Sequence, residues 1–589
     1  MTPDGVASPW SRVWPAIRVA AAVACAVLLF GFAWLLRFND PSGGFAFLTD
    51  DHFFYLVRGW QILFGDLPVR DFVDQGAPLF YYGGAAVQQL FGRGTLSEIV
   101  FCVTVLAACA VGVFLLAARA SGSLLLGAGA ALFQILLGAR FYNYPKILVY
   151  VLAIPALWAV ADRQSAWRLA LLAAVTVVAF LFRHDHGVFV AAAFAMLLCL
   201  LTHVPWRQRV RHGLIYAALV VTLLMPYLVF IEVHAGVVSY FRNAAAWAQQ
   251  DRNRAPVVWP GLFDNPDGVS PEAQSGGIVR RAVATVQDNS VAWLFYTELA
   301  LPFAALLLWA MSPQAFRRKW PNAAPKVAVV AVLAVMLNAG FLRSPLTARL
   351  ADPSVPHAVL LAWMCVAAVR LAWRGDDVRP SWRRHAWFVP ASAVTLAAAA
   401  AVLAVAVAGV TDDLPRRLEK SVLNQSMDDA FDRADRLWKE IGEAFPIADN
   451  PSASPDELRT LSLYLRRCTR PTDRIFVQHY IPQVLALAER GFAGGHADLR
   501  PGFFENEQMQ RLTVARLKMQ SVPVALVGAS DDLGGFRHSF PIVVSYLDQQ
   551  FENVAEHTFD GRFPIRLLVN RNARVSGRFQ PLDWPCFRP

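Results

Sequence analysis

Hydrophobic residues in this 589-residue chain are concentrated in long blocks, and these blocks limit the possible folds more than any other feature. Each block has roughly 17–25 residues, the length that an α-helix needs to cross a bilayer. Charged residues make up only 17% of the chain, too few to cover the surface of a water-soluble protein of this size. The sequence therefore predicts an α-helical polytopic membrane protein in the lipid bilayer. Its positive charge is too dispersed to indicate nucleic acid.

The blocks predict about eleven transmembrane helices, all before residue 412. The first block is too long for the core of a signal peptide and lacks a small-residue cleavage site, so we interpret it as a retained anchor. The predicted spans lie near residues 16–36, 97–118, 122–139, 146–161, 167–182, 188–203, 213–231, 291–311, 325–342, 354–373 and 386–409.

Lysine and arginine are distributed unevenly between the predicted loops. Cytoplasmic loops are enriched in these residues, so the N-terminus is predicted to be inside. An odd number of spans then places the C-terminal part outside, in the periplasm, with the chain in the cytoplasmic (inner) membrane. The short outer loops keep five basic residues: Arg140, Lys146, Arg183, Arg343 and Arg349.

We predict two domains, a transmembrane catalytic domain formed by residues 1–411 and a soluble α/β domain formed by residues 412–589. The composition changes at Asp412, where an Arg-, Asp- and Glu-rich helical stretch begins. Beyond it, strand-like segments alternate with helical patterns, which is typical of a small α/β domain. The strand-like segments cover residues 474–477, 522–527 and 566–569.

Cys468 and Cys586 are the two cysteines outside the predicted spans. The predicted topology places both in an oxidising compartment, where disulfides persist. They are therefore a disulfide candidate, with two free thiols as the alternative. No cysteine spacing in the chain is typical of a zinc site.

Two predicted outer loops are long, residues 37–96 and 232–290. The second is rich in Pro, Gly, Asn and Asp, which indicates a partly ordered loop or lid. The first contains two amphipathic helical patterns with aromatic faces, at residues 51–64 and 78–91, which are suited to the membrane interface.

Asp50 and Asp51 form a pair of adjacent carboxylates just before the first of these amphipathic patterns. Such a pair can be a helix N-cap followed by a first-turn carboxylate, which is a purely structural role. It can also be a general base and a second carboxylate that orients it. The residues alone leave both interpretations open.

Further polar residues collect in the short outer loops, at the level of the membrane surface. Ionisable residues at this depth indicate either a functional cavity or side chains that extend to water. The candidate binding residues are Tyr142, Lys146, Arg183, His184, Asp185, His186 and Arg349.

The His184-Asp185-His186 triplet invites a metal interpretation. Alternate residues point the same way only in an extended chain, and two histidines with one aspartate are an incomplete ligand set. We therefore predict no metal and no cofactor, and expect these residues to form hydrogen bonds with sugar or phosphate around Arg183.

The segment Pro68–Tyr82 resembles the pattern P-x-R-D-F-x-x-Q-x-P-P-L-x-Y-Y of the GT-C glycosyltransferases that use polyprenyl-phosphate sugars. This branch includes protein O-mannosyltransferases and the aminoarabinose transferases of lipid A. The chain departs from the pattern at Gly76-Ala77-Pro78, where many members have His-Pro-Pro. The acidic pair after the first span, followed by an aromatic helix, is also similar to the catalytic loop of this family.

The resemblance implies roles for several residues. Asp50 corresponds to the aspartate that acts on the acceptor, and Asp51 holds a place usually taken by Glu. Basic residues of the short outer loops are expected near the lipid phosphate. The candidate residues on the acceptor side are Asp71, Asp74 and Gln75.

The implied function is the inverting transfer of one sugar from a polyprenyl-phosphate donor to an acceptor hydroxyl, on a glycolipid, a glycan or a protein. The alternative is a membrane transporter or a lipid or glycan flippase. A transporter predicts charges near the middle of the spans, whereas we expect the charges here to gather at the outer ends. Polymerase, ligase or oligosaccharide-transfer activities of the same superfamily are a third possibility.

Overall fold

The computed structural model describes residues 10–38, 50–253, 258–263, 277–311, 323–343, 347–373, 401–409, 426–443, 457–529, 531–559, 561, 563–580 and 582–588. Within these ranges the first part of the chain is helical. Its helices are α1 (Trp10–Phe38), α2 (Asp50–Leu63), α3 (Pro78–Phe91), α4 (Thr95–Ser121), α5 (Leu124–Leu137), α6 (Tyr144–Asp162), α7 (Ala166–Phe182), α8 (His184–Leu200), α9 (Trp206–His234), α10 (Val237–Asn253), α11 (Ile278–Asp288), α12 (Ser290–Met311), α13 (Ala323–Arg343), α14 (Thr347–Leu350), α15 (Ser354–Trp373) and α16 (401–409).

Five of these helices, α1, α4, α6, α9 and α12, are long and apolar enough to cross a membrane. Five shorter apolar helices, α5, α7, α8, α13 and α15, accompany them. Together they coincide with the first ten predicted spans, so the chain is a helical membrane protein. The eleventh predicted span, 386–409, lies mostly outside the described residues, and the count of eleven stays a prediction.

Local sequence signals explain where neighbouring helices end. The backbone of Gly122 (φ 76°) has the left-handed conformation that ends α4, and the hydroxyl of Ser123 accepts a hydrogen bond from Leu126 N at the start of α5. Gly127 then lets α5 approach α4, because a Cβ atom there would lie 2.8 Å from the Ala118 Cβ. Helix α4 also packs against α1 and α15, at the centre of the bundle.

The surface of the bundle is apolar as well as its core. The exposed residues of α1 include Val19, Val23 and Leu28, and Leu125 of α5 and Leu214 of α9 are exposed too. A water-soluble protein rarely exposes so much contiguous apolar surface. These faces are therefore suited to contact lipid.

The C-terminal part contains a five-stranded mixed sheet with strand order β2-β1-β3-β5-β4 and a separate β6-β7 pair. Strand β1 is parallel to β2 and β3, whereas β5 is antiparallel to β3 and β4. The elements in chain order are α17 (Met427–Glu443), α18 (Glu457–Cys468), β1 (Arg474–Val477), α19 (Pro482–Ala488), β2 (Gly491–Phe492), α20 (Glu507–Met519), β3 (Val524–Gly528), α21 (Asp531–Ser539), α22 (Pro541–Gln550), β4 (Phe551–Phe559), β5 (Phe563–Asn570), β6 (Gly577–Phe579) and β7 (Trp584–Cys586).

The three predicted strand-like segments correspond to β1, β3 and β5, which contain the buried β-branched and leucine residues of the sheet. The pattern missed β4 because this edge strand is mostly exposed and rich in polar residues. Cys468, at the end of α18, and Cys586, in β7, form a disulfide. This bond connects the two ends of the C-terminal segment across 118 residues.

The C-terminal sheet contacts the segment between α1 and α3. The side-chain amide of Gln61 in α2 donates to Phe492 O (3.2 Å), and its oxygen accepts from Phe492 N (3.1 Å). Val73 N donates to Gly495 O (3.0 Å). Arg516 of α20 donates to the backbone oxygen of Arg70 (2.8 Å). Strand β2 and its neighbours therefore lie directly against the loop that contains the predicted site.

Candidate functional site

A cavity of about 390 Å³ lies where the C-terminal segment meets the ends of α2, α3, α6, α7 and α8. Polar and charged side chains alternate with aromatic ones around it. The lining residues are Asp51, Phe54, Tyr55, Gln75, Ala77, Phe80, Arg140, Tyr142, Asn143, Pro145, Lys146, Val149, Phe182, Arg183, His186, Trp247, Arg349, Tyr480, Asp498, Arg500, Phe503 and Phe504. Seven of the predicted site residues are among them.

Asp51 is the carboxylate of α2 that faces this cavity. The Tyr142 hydroxyl donates to Asp51 Oδ2 (2.9 Å), and the Tyr480 hydroxyl donates to Asp51 Oδ1 (2.6 Å). Arg140 Nη1 lies 3.9 Å from Oδ2. The Asp51 side chain still keeps 47% of its surface exposed, so it is oriented by two hydroxyls and remains open to a ligand.

Burial, followed by the neighbouring charge of Asp51, raises the pKa of Tyr480 well above its usual value. The hydroxyl therefore keeps its proton and acts as a donor to the carboxylate. Asp50 begins α2, but its side chain lies outside the described residues, so its assigned role stays a prediction.

Three of the predicted cations line the cavity from separate elements. Lys146 Nζ, in the first turn of α6, lies 2.6 Å from Asp352 Oδ2. Arg183 Nε, between α7 and α8, lies 3.0 and 3.1 Å from the two carboxylate oxygens of Asp185. Arg349 of α14 donates to Gly340 O (3.1 Å). Charge attraction from Asp185 raises the pKa of Arg183, so this guanidinium stays protonated.

The cavity has more basic than acidic groups. Arg140 and Arg500 add to the three predicted cations, and among the described residues only Asp51 and Asp498 line the cavity as carboxylates. Asp185 and Asp352 lie behind the lining and hold Arg183 and Lys146 in place. A partly enclosed cationic cavity of this kind is suited to an anionic ligand, because positive groups in a low-dielectric site act more strongly than in water.

The structure places Asp71 and Asp74 away from the large cavity. Asp71 accepts hydrogen bonds from Leu67 N and Arg70 Nε, both at 2.8 Å, and closes a turn. Asp74 is buried. Its Oδ1 accepts from the backbone N–H groups of Gly76 and Ala77, and its Oδ2 accepts from two tyrosine hydroxyls, those of Tyr227 (3.1 Å) and Tyr240 (2.7 Å).

These contacts give Asp71 and Asp74 a structural role in their loop. Of the three predicted acceptor-side residues, only Gln75 lines the large cavity. Asp74 lines a smaller cavity of about 90 Å³ instead, beside Gln75 and Trp247.

The two histidines of the predicted triplet have different surroundings. His184 stacks on Phe180, with ring centroids 4.4 Å apart, and its Nε2 lies 3.2 Å from the Tyr227 hydroxyl. His186 Nδ1 lies 2.7 Å from the Tyr150 hydroxyl. Helix α8 begins at His184, so residues two apart point in different directions. The two rings therefore do not share a ligand position.

The departure from the family pattern at Gly76 also has a structural reason. Gly76 has a φ of 85°, a conformation that favours glycine. A Cβ atom there would lie only 2.8 Å from His184 Nδ1. The His184 ring packs against this glycine, and His184 N lies 3.3 Å from Gly76 O.

From the sequence we expected the C-terminal segment to bind the acceptor or to pack on the loops, but did not assign its individual residues to the site. Tyr480 contacts Asp51, and the guanidinium of Arg500 lies 4.2 Å from the centre of the Tyr480 ring. Arg500 Nε also lies 2.6 Å from Asp498 Oδ2. Phe504 has a φ of 59°, and non-glycine residues in this conformation are concentrated at functional sites. No local sequence signal connects these residues with Asp51, which lies more than 400 residues earlier.

The expectation that charges gather only at the ends of the spans is wrong at Glu298. This residue is buried within α12, and neither of its carboxylate oxygens has a hydrogen-bond partner among the described residues. His357 Nδ1 of α15 lies 3.8 Å from Glu298 Oε1 and is buried as well.

No protein-family profile and no curated protein matches the chain. Among solved structures, the chain is similar to the crystal structure of ArnT from Cupriavidus metallidurans bound to undecaprenyl phosphate, with 14% identity and a TM-score of 0.46, over 94% of this chain and 98% of that one. It is also similar to the Archaeoglobus fulgidus oligosaccharyltransferase in complex with Zn and sulfate, with 14% identity and a TM-score of 0.42, over 93% of this chain and 73% of that one.

Proposed function

We propose that the protein is a membrane glycosyltransferase that moves a single sugar from a polyprenyl-phosphate donor to an acceptor hydroxyl. One observation carries the proposal: two carboxylates and five cationic side chains from separate elements surround one cavity at the ends of apolar helices. The positive-inside pattern supports a location of this cavity on the outer face of the inner membrane.

The cationic side of the cavity is suited to the donor phosphate. Phosphate is a good leaving group, so the main requirement is to stabilise the charge that its oxygens gain as the bond to the sugar breaks. Lys146, Arg183 and Arg349 can supply this stabilisation without a catalytic metal. The apolar lining beside them, with Val149 and Phe182, is suited to the start of the isoprenoid chain.

The proposed reaction is a single displacement. The acceptor oxygen forms a bond to the anomeric carbon, the bond from that carbon to the phosphate oxygen breaks, and polyprenyl phosphate leaves with the electron pair. The acceptor proton passes to a carboxylate of the Asp50–Asp51 pair. Attack from the face opposite the phosphate inverts the anomeric centre.

Different observations support Asp50 and Asp51 as the general base. The family resemblance assigns it to Asp50, whereas the position of the carboxylate in the cavity favours Asp51. Tyr142 and Tyr480 hold the Asp51 carboxylate in one orientation, as a proton acceptor requires. Single variants at the two positions separate the roles.

The test is turnover of the purified chain with a panel of polyprenyl-phosphate sugars, with mass spectrometry of the released polyprenyl phosphate. Asp51→Asn is expected to lower turnover about 10²–10⁴-fold, the usual contribution of a general base. Asp162→Asn is a matched control, because Asp162 lies at the opposite end of α6 and pairs with Arg119 and Lys326. Turnover at the control level in both Asp50→Asn and Asp51→Asn would reject the assignment.

The second candidate function is a transporter or flippase, and the buried Glu298 with His357 is the observation that favours it. The two functions are separable in proteoliposomes. A glycosyltransferase converts donor into product without moving lipid between leaflets. Movement of a fluorescent polyprenyl-phosphate lipid between leaflets, with no sugar transfer, would favour the alternative.

A further inference from the structure

A second cluster of chemically active side chains lies between α2 and α4, outside the cavity lining. It consists of His52, in the first turn of α2, and Glu98 and Cys102, in the first two turns of α4. All three are almost completely buried, with exposures of 1%, 2% and 0%. Glu98 and Cys102 are four residues apart, so they project from the same face of α4.

The three side chains bring one nitrogen, one oxygen and one sulfur atom together. His52 Nε2 lies 3.1 Å from Glu98 Oε1, and Cys102 Sγ lies 3.8 Å from the same oxygen. All the potential ligand atoms lie within 4.8 Å of one another. Bonds of about 2.0–2.3 Å in a tetrahedral zinc site separate the ligand atoms by roughly 3.3–3.6 Å. The cluster therefore needs only small shifts to reach that geometry.

The set of donor atoms selects the metal. Thiolate, imidazole and carboxylate are all zinc ligands. Calcium and magnesium prefer oxygen ligands alone, so a cysteine and a histidine argue against both. Three protein ligands leave a fourth position for water.

Gln88, at the C-terminal end of α3, orients the carboxylate. Its Nε2 donates to Glu98 Oε2 (3.3 Å), and its oxygen accepts from Gly94 N (2.7 Å). This arrangement holds Glu98 with Oε1 directed towards His52 and Cys102. Outer hydrogen bonds of this kind fix the ligands of metal sites.

The electrostatics of the cluster also favour a cation. A buried carboxylate is costly unless charge or strong donors compensate it. Among the described residues Glu98 has the amide of Gln88, the ring of His52 and the weak thiol donor of Cys102. A divalent ion bound here adds positive charge beside the carboxylate and displaces the thiol proton.

We propose that His52 Nε2, Glu98 Oε1 and Cys102 Sγ bind one zinc ion that fixes the first turn of α2 against α4. The ion holds the two helices together and does not contact the substrate, because none of its three ligands lines the cavity. Its consequence for the cavity is indirect, since Asp51 immediately precedes His52. The zinc site does not depend on the proposed function.

The experiment is elemental analysis of the full chain, purified in detergent and equilibrated with zinc chloride before removal of free metal. The wild-type protein is expected to retain about one zinc per chain, as a three-residue site binds a single ion. His52→Ala and Cys102→Ala are expected to lose it. Cys109→Ala is the matched control, because Cys109 is buried on the same helix. Zinc-free wild-type protein, or equal zinc in all four proteins, would overturn the proposal.

X-ray absorption at the zinc edge of the wild-type protein gives an answer even where a variant fails to fold. One sulfur at about 2.3 Å and nitrogen or oxygen at about 2.0–2.1 Å are expected. A coordination shell without sulfur would reject Cys102 as a ligand and with it the site. Metal content is measured without turnover, so its outcome and that of the transfer assay are distinguishable.

Discussion

Asp51 receives hydrogen bonds from two regions of the molecule that differ in every other respect. Tyr142 belongs to the turn before the membrane helix α6, and Tyr480 belongs to the loop after β1 of the C-terminal sheet. The helical region has an apolar surface, whereas the C-terminal segment has a mostly polar surface and a disulfide between α18 and β7. The comparison indicates that the C-terminal segment is part of the candidate site and does more than cover it.

The cations that line the cavity also come from both regions. Arg183 comes from the membrane helices and lies beside Lys146, among the residues we assign to the donor phosphate. Arg500 comes from the C-terminal segment and stacks over Tyr480. We therefore expect the helical region to act on the donor and the C-terminal segment to act on the acceptor side.

The largest difference between the two regions is expected for the two arginines. Arg183→Ala is expected to lower turnover about 10²–10³-fold, the usual cost of removing a group that stabilises charge in the transition state. Arg500→Ala is expected to raise the KM for the acceptor with a smaller effect on turnover. Kinetics with saturating donor and variable acceptor check both. Equal effects of the two variants on the same kinetic constant would remove the distinction between the regions.

A smaller effect is expected for the two tyrosines. Tyr142→Phe and Tyr480→Phe each remove one hydrogen bond to Asp51, and each is expected to lower kcat roughly 3–10-fold, as for a bond worth about 1 kcal/mol. The double variant is expected to deviate from the product of the two effects, because both hydroxyls act on one carboxylate. Wild-type kcat in Tyr480→Phe would leave the C-terminal segment without a role in orienting Asp51.

A separate effect, on stability, concerns His496 in the C-terminal region. Burial, with a further contribution from Arg516 and Arg58, lowers the pKa of His496 from 6.5 to about 3. The folded chain therefore keeps His496 neutral, whereas the unfolded chain binds a proton below pH 6.5. The contribution of His496 to the free energy of unfolding is therefore fully present above pH 6.5. It decreases as the pH falls from 6.5 towards 3, by about 2 kcal/mol at pH 5.

Thermal unfolding followed between pH 7.5 and 5 measures this dependence. His496→Gln is expected to weaken it, whereas His538→Gln, at an exposed position, is expected to leave it unchanged. An identical pH dependence in wild type and His496→Gln would show that another group is responsible.

The sequence predicted the helical region better than the C-terminal region for a physical reason. A lipid environment requires long apolar segments and disfavours charged residues that have no function. The polar residues at the helix ends therefore indicated a functional site. Asp51, Lys146, Arg183 and Arg349 were all identified in this way, and all four line the cavity. Glu298 was missed because one acid within a long apolar block hardly changes its hydropathy.

The contributions of Tyr480, Asp498 and Arg500 could not be predicted, because they depend on how the sheet packs against α2. The contacts between Gln61 and Phe492 that hold this packing involve ordinary residues with no distinctive pattern. Asp74 illustrates the opposite case. The family resemblance placed it on the acceptor side, whereas its hydrogen bonds from Gly76 and Ala77 shape its own loop and those from Tyr227 and Tyr240 hold this loop against α9 and α10.

The most direct measurement is a structure of the full chain with bound polyprenyl phosphate. We predict that the phosphate oxygens lie within hydrogen-bond distance of at least two of Lys146, Arg183 and Arg349, with the isoprenoid chain directed towards the bilayer. A phosphate bound outside this cavity, or beside Glu298 and His357 within the helical bundle, would contradict it.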